Sequence, residues 1–98
     1  MKVILIQKDY NKPIRIPEGQ DTIIGRGNII PPMIDVSREH FSITWKNGSV
    51  LIIDLSRNGT SLGEARTPVS KTNGTELKDG DKIYIGGNIT YFVVSITN

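Results

Sequence analysis

The chain has 98 residues, a formal net charge of +2, one histidine and no cysteine. That length holds one modest core and leaves little for a deep catalytic cavity. The absent cysteines exclude a disulfide framework and a thiolate metal site, the lone His40 argues against a histidine-based one, and so small a charge does not by itself indicate a nucleic-acid partner.

Residues 3–6, Val-Ile-Leu-Ile, form an apolar run too short for a signal peptide or a membrane span. They predict an opening strand over Val3–Gln7 and an intracellular protein, cytoplasmic or nuclear, with no membrane partner. Short strands are expected over Pro13–Ile16 and Thr22–Ile24, separated by Pro17-Glu18-Gly19. Gly25-Arg26-Gly27 and Pro31-Pro32 then mark a long irregular stretch. Phe41-Ser42-Ile43-Thr44-Trp45-Lys46 alternates apolar and polar residues without a break, as a half-buried strand does. Asn47-Gly48 is the preferred pair for a type I′ turn, and Ser49–Leu55 returns as the second strand of a hairpin. Strands over Lys82–Ile85 and Ile89–Ile96 close the chain.

Breakers recur at Asn58-Gly59, Asn73-Gly74, Asp79-Gly80 and Gly86-Gly87, and no window keeps a 3.6-residue period. Short strands punctuated by turns indicate an all-β sandwich or barrel. No linker or low-complexity segment divides residues 1–98, which read as one domain. The N-x-Ser/Thr sequences at Asn47, Asn58, Asn73 and Asn88 are read as turn chemistry and not as glycosylation sites.

Three loop sequences carry the chemistry: Gly25-Arg26, Ser37-Arg38-Glu39-His40 and Ser56-Arg57-Asn58-Gly59-Thr60. Each supplies an arginine, whose planar fork of donors matches phosphate oxygens. Serine hydroxyls and loop N–H groups add donors around the same anion. Asparagine both donates to and accepts from an extended peptide backbone. Taken singly, each has an ordinary structural role: Gly-Arg pairs are common, Ser37 and Asn58-Gly59 suit turns, and His40 suits a loop brace. The case for anion recognition rests on their order and on convergence of the loops at one end.

The joint pattern resembles the forkhead-associated (FHA) domain family: Gly-Arg, then Ser-x-x-His, then Asn-Gly after one strand. The run Leu77-Lys78-Asp79-Gly80-Asp81-Lys82-Ile83-Tyr84-Ile85-Gly86 is similar to a downstream segment of that family. The resemblance covers residues 3–97. It implies a two-sheet antiparallel β-sandwich of about eleven strands, with binding loops at one end. It also implies a non-catalytic module that binds a phosphothreonine-containing protein, the product of a Ser/Thr kinase, without a cofactor or a metal.

Carried over by position, Arg26 would contact the phosphate and Ser37 would donate its hydroxyl to it. Arg38 would add a donor, and Asn58 would hold the peptide backbone just after the phosphothreonine. Gly25, His40, Gly59 and Thr60 would support the loops. Arg57, counted with the phosphopeptide-binding residues, departs from the small hydroxyl residue common before the family's asparagine; a second cation there would either strengthen phosphate binding or point outward. Asp35, in the loop that commonly influences choice at the third residue after the phosphothreonine, would disfavour aspartate there.

Three other readings are weaker. A nucleic-acid-binding barrel would need exposed aromatics for base stacking, whereas Phe41 and Trp45 share a strand face and suit a core. A hydrolase built on Ser37 and His40 lacks a nucleophile elbow. An FHA-fold scaffold acting without phosphate recognition would not need Arg26, Ser37 and Asn58 together.

Overall fold

The computed structural model describes residues 1–87 and 90–98. Among these residues it contains ten strands: β1 (Lys2–Gln7), β2 (Ile14–Ile16), β3 (Thr22–Ile24), β4 (Phe41–Lys46), β5 (Ser49–Asp54), β6 (Thr60–Leu62), β7 (Thr67–Pro68), β8 (Thr75–Glu76), β9 (Lys82–Ile85) and β10 (Thr90–Thr97). They form two antiparallel sheets, ordered β2-β1-β10-β9-β6-β7 and β3-β4-β5-β8. No helix of the described residues is long and apolar enough to cross a membrane.

The central hairpin forms as its sequence dictates. β4 and β5 pair from Phe41 opposite Asp54 to Lys46 opposite Ser49. Asn47 and Gly48 turn the chain with φ of 53° and 79°, the positive values a type I′ turn requires at both central residues. Strand alternation then buries Phe41, Ile43, Val50 and Ile52 against Val3, Leu5, Ile83, Ile85, Phe92 and Val94 of the other sheet. Phe41 meets Phe92 edge to face across the sandwich, with ring centroids 6.1 Å apart. Trp45 packs against this core and is not an exposed stacking platform.

The expected strands need small revisions. Ten strands are described, against the eleven or so implied. β2 starts at Ile14 and not Pro13, since proline has no N–H for the ladder. β5 stops at Asp54; Leu55 is 43% exposed, although its N–H still donates to the His40 carbonyl. β1 gains Lys2, and β10 runs to Thr97. Asn88 and the expected strand start at Ile89 lie outside the described residues. β6, β7 and β8 are two or three residues long and show no alternation to betray them.

Register aligns the strand ends that matter. Ile24 pairs with Phe41, and Phe41 with Asp54. In the other sheet Ile85 pairs with both Thr60 and Thr90. Segments 25–40 and 55–59 therefore leave the sandwich at one rim, together with Gly86 and Gly87.

Candidate functional site

The rim is assembled by close approach of Gly25 to segment 37–38. A Cβ built on Gly25 would collide with the Arg38 carbonyl; glycine is needed here for contact, not for its dihedrals. Arg26 follows in a single 3₁₀ turn, Arg26–Asn28. Its backbone N–H donates to the Ser37 carbonyl at 3.0 Å. Its Nε donates to the Val36 carbonyl at 2.8 Å, and Nη2 to the Ile34 carbonyl at 3.3 Å. Val36 is fully buried and anchors this segment in the core. Arg26 is thus held through three of its own donors, and its Nη1 has no partner among the described residues.

His40, completely buried, ties the two arginine-bearing loops together. The Ser37 N–H donates to Nδ1 at 3.0 Å, so the ring proton sits on Nε2, which donates to the Gly59 carbonyl at 2.9 Å. Burial lowers the imidazole pKa below its ordinary range, and the Gly59 carbonyl and nearby Asp54 only partly oppose this. The ring is neutral at pH 7. Both nitrogens are occupied by backbone, so neither is free to take the Ser37 hydroxyl proton as a hydrolase would require.

Asp54 organises the second loop. β5 alternates so that Val50, Ile52 and Asp54 all face inward, which places a carboxylate at the core edge. Its Oδ1 accepts from the Ser56 N–H at 2.9 Å, the Ser56 hydroxyl at 2.6 Å and the Thr60 hydroxyl at 2.8 Å. Its Oδ2 meets Lys71 Nζ at 3.0 Å. Burial alone would raise the carboxyl pKa; the donors of Ser56, Thr60 and Lys71 outweigh it and hold the pKa below the ordinary value. The Ser56 hydroxyl in turn accepts from the Gly59 N–H at 2.7 Å. Gly59 itself takes φ of 95°, a left-handed conformation that glycine adopts without strain.

Between these loops lies an open cleft of about 390 Å³, lined by Arg26, Ile34, Ser37, Arg38, Arg57 and Asn58. All five residues expected to touch a phosphopeptide therefore line one cavity. The Ser37 hydroxyl oxygen accepts the Arg57 N–H at 3.0 Å, which leaves its own proton free to donate outward. Asn58 Nδ2 donates to the Asp35 carbonyl at 2.9 Å, and its second N–H and Oδ1 have no partner among the described residues. Asp35 lines a separate groove with Asn58, Gly86 and Gly87. Gly25, His40 and Gly59 do not line the cleft; Gly25 abuts the Arg38 carbonyl, and His40 bonds Ser37 and Gly59. Thr60 is buried and bonded to Asp54, away from the cavity. No group of acidic, histidine or cysteine side chains among the described residues is arranged to hold a metal ion.

The sequence reading missed Asp54, Ser56 and Lys71. Asp54 carried a signal, since a carboxylate on the inward face of an alternating strand must be hydrogen-bonded. It also missed Ile34, which is 87% exposed on the lip of the cleft; one apolar residue in an irregular segment gives no periodic signal.

The geometry defines a β-sandwich with a cationic, loop-built cleft at one end. A sequence profile described as FHA domain matches residues 22–86. A solved structure from work on phosphothreonine-dependent FHA domain interactions is 32% identical over 100% of this chain and 99% of its own, with a TM-score of 0.80. The FhaA FHA domain complexed with the intracellular domain of Rv3910 is 34% identical over 94% of this chain and 98% of its own, with a TM-score of 0.75. The N-terminal FHA domain of S. cerevisiae Rad53p in complex with a phosphothreonine peptide is 20% identical over 99% of this chain and 94% of its own, at TM-score 0.82; that likeness speaks to the fold alone. No curated protein matches the sequence. The chain belongs to the FHA domain family, whose members are interaction modules.

Proposed function

We propose that this chain binds an extended segment of another protein through a phosphothreonine, and that it catalyses no reaction. The observation that carries this reading is the convergence of Arg26, Ser37, Arg38 and Asn58 on one cleft with donors left over. The free Nη1 donors of Arg26 and the Ser37 hydroxyl proton point to phosphate oxygens. The exposed Arg38 adds charge, and Asn58 offers an amide to the peptide backbone beside the phosphothreonine. The related FHA structure solved for phosphothreonine-dependent interactions supports this choice of ligand. The partner is then a product of a Ser/Thr kinase, and the expected location is intracellular, with no nucleic acid, membrane or cofactor needed.

We also take residues 1–98 as one FHA domain. β1, β2 and β10 lie outside the matched segment, yet β1 pairs with β10 along its whole length and both share a sheet with β9 and β6.

Phosphothreonine brings a charge of about −1.5 to −2 at neutral pH. Charge-assisted hydrogen bonds contribute about 1.5–3 kcal/mol each. Three or four of them, less the cost of ordering peptide and loop, give about −8 kcal/mol, or micromolar affinity. The test is calorimetric titration of matched phosphorylated and unphosphorylated threonine peptides into wild type and Arg26→Ala. The phosphorylated peptide should bind and its partner should not, and Arg26→Ala should lose about 2–4 kcal/mol, as expected of a hot spot. Equal affinity for both peptides, or wild-type binding by the variant, would refute the assignment.

A further inference from the structure

Three Asn-Gly pairs occur in the chain: Asn47-Gly48, Asn58-Gly59 and Asn73-Gly74. Such a pair carries chemistry of its own, because a glycine without a Cβ leaves its backbone nitrogen unhindered beside the asparagine side chain. The glycine nitrogen bonds to asparagine Cγ, the Cγ–Nδ2 bond breaks, and Nδ2 leaves as ammonia with the proton that the glycine nitrogen gives up. Water then adds across one of the two C–N bonds of the cyclic imide, and the asparagine has become aspartate or isoaspartate. Water is the one co-reactant. The step also needs a glycine N–H able to turn onto Cγ and lose its proton, since reacting atoms must first reach a near-attack arrangement.

The fold treats the three pairs differently. Asn47-Gly48 is the exposed turn between β4 and β5, and Asn73-Gly74 is exposed just before β8. In both, the glycine N–H and the asparagine side chain have no hydrogen-bond partner among the described residues. Asn58 is exposed as well, but here both reacting groups are held. The Gly59 N–H donates to Ser56 Oγ at 2.7 Å, and Asn58 Nδ2 donates to the Asp35 carbonyl at 2.9 Å. Ser56 Oγ is no base for the Gly59 proton. Its own hydroxyl donates to Asp54 Oδ1 at 2.6 Å, and the carboxylate behind it disfavours a negative nitrogen. The Gly59 carbonyl, bonded to His40 Nε2 at 2.9 Å, fixes the residue from its other side.

We infer that Asn58 is a deamidation site kept silent by the Asp54–Ser56–Gly59 chain of hydrogen bonds, so that opening of segment 55–59 converts the chain irreversibly into a form with a disabled cleft. A carboxylate at position 58 has no N–H to give the Asp35 carbonyl. It also sets negative charge on the cleft lining, against a phosphothreonine's own charge of about −1.5 to −2. Asn47, at the end of β4 away from the rim, and Asn73 do not line the cleft, so the same chemistry there leaves the cleft intact. The protection needs no ligand; its consequence for binding rests on the phosphothreonine reading above.

The test incubates wild type, folded and in urea, together with folded Ser56→Ala, at mildly alkaline pH and follows each asparagine by peptide mapping and mass spectrometry. In the fold Asn58 should convert about thirty-fold more slowly than in urea, the factor that breaking two ordinary hydrogen bonds implies, and more slowly than Asn47 and Asn73. In urea the three rates should converge. Ser56→Ala should raise the Asn58 rate and leave that of Asn47 unchanged; if this variant does not fold, the two wild-type incubations decide. Asn58 converting in the fold as fast as Asn47, or as slowly in urea as in the fold, overturns the inference, as does an unchanged Asn58 rate in folded Ser56→Ala. Asn58→Asp should weaken phosphothreonine-peptide binding by at least about ten-fold, as like charges brought together do, whereas Asn47→Asp should bind as wild type does. Wild-type affinity in Asn58→Asp overturns the disabled cleft. A wild type that cannot tell phosphorylated from unphosphorylated peptide overturns the phosphothreonine reading instead, while the deamidation rates still decide the protection.

Discussion

Replacing Asp54 by asparagine tests whether the buried carboxylate, and not merely the loop sequence, builds the cleft. The side chain keeps its shape but loses its charge. Three hydrogen bonds to Oδ1, from the Ser56 N–H, the Ser56 hydroxyl and the Thr60 hydroxyl, drop from charge-assisted to neutral strength. That difference is about 1 kcal/mol each. The pair with Lys71 is also lost, but the Lys71 side chain is 59% exposed, so its share is discounted to at most about 1 kcal/mol. The sum is about 3 kcal/mol, a large part of the stability of a domain this size. Urea unfolding at pH 7 reads it directly as a shift in midpoint at unchanged slope. The pH dependence gives a second reading. The Asp54 pKa is depressed in the fold, so its contribution is present above the ordinary carboxylate pKa and is lost as pH falls through the folded value. The gap between wild type and Asp54→Asn should narrow over that acid range. A loss below about 0.5 kcal/mol at pH 7, or a gap constant with pH, would refute the carboxylate's role.

His40 titrates in the opposite sense of charge. Its folded pKa lies below 6.5 because burial disfavours the imidazolium, so the unfolded chain binds the extra proton first and stability falls as pH drops below about 6.5. Thermal midpoints between pH 5 and 8 should show this slope, and His40→Gln should lack that component. Gly25→Ala drives a methyl into the Arg38 carbonyl; moving backbone aside should cost about 1–3 kcal/mol in chemical unfolding and weaken phosphopeptide binding by displacing Ser37 and Arg38. Wild-type stability in that variant would show that the contact is not needed.

Legibility in the sequence followed the physics of each element. The β4–β5 hairpin was plain because two independent signals agreed, period-two alternation and an Asn-Gly pair whose φ values are positive in the structure. The edge strands β7 and β8 were invisible because two residues cannot show a period. Arg26, Ser37, Arg38, Arg57 and Asn58 were named in advance, but their convergence depended on registers such as Ile24 with Phe41 and Phe41 with Asp54, which no local pattern encodes. Thr60 was placed among the loop supports for its position beside Gly59; the structure gives it a specific duty on Asp54, a residue the motif does not contain. Ile34 could not be anticipated, since it stands in an irregular segment held by long-range bonds, from Arg26 to the Ile34 carbonyl and from Asn58 to the Asp35 carbonyl.

The most direct measurement is an amide chemical-shift titration of the isotopically labelled chain with a phosphothreonine peptide. Saturable shifts should concentrate at residues 26, 34–38 and 56–59, with the Asn58 side-chain amide and Arg26 guanidinium signals among the largest. Perturbations clustered instead on the outer face of the larger sheet, around Lys8, Lys82 and Tyr91, with the 26–37–58 rim silent, would contradict the account.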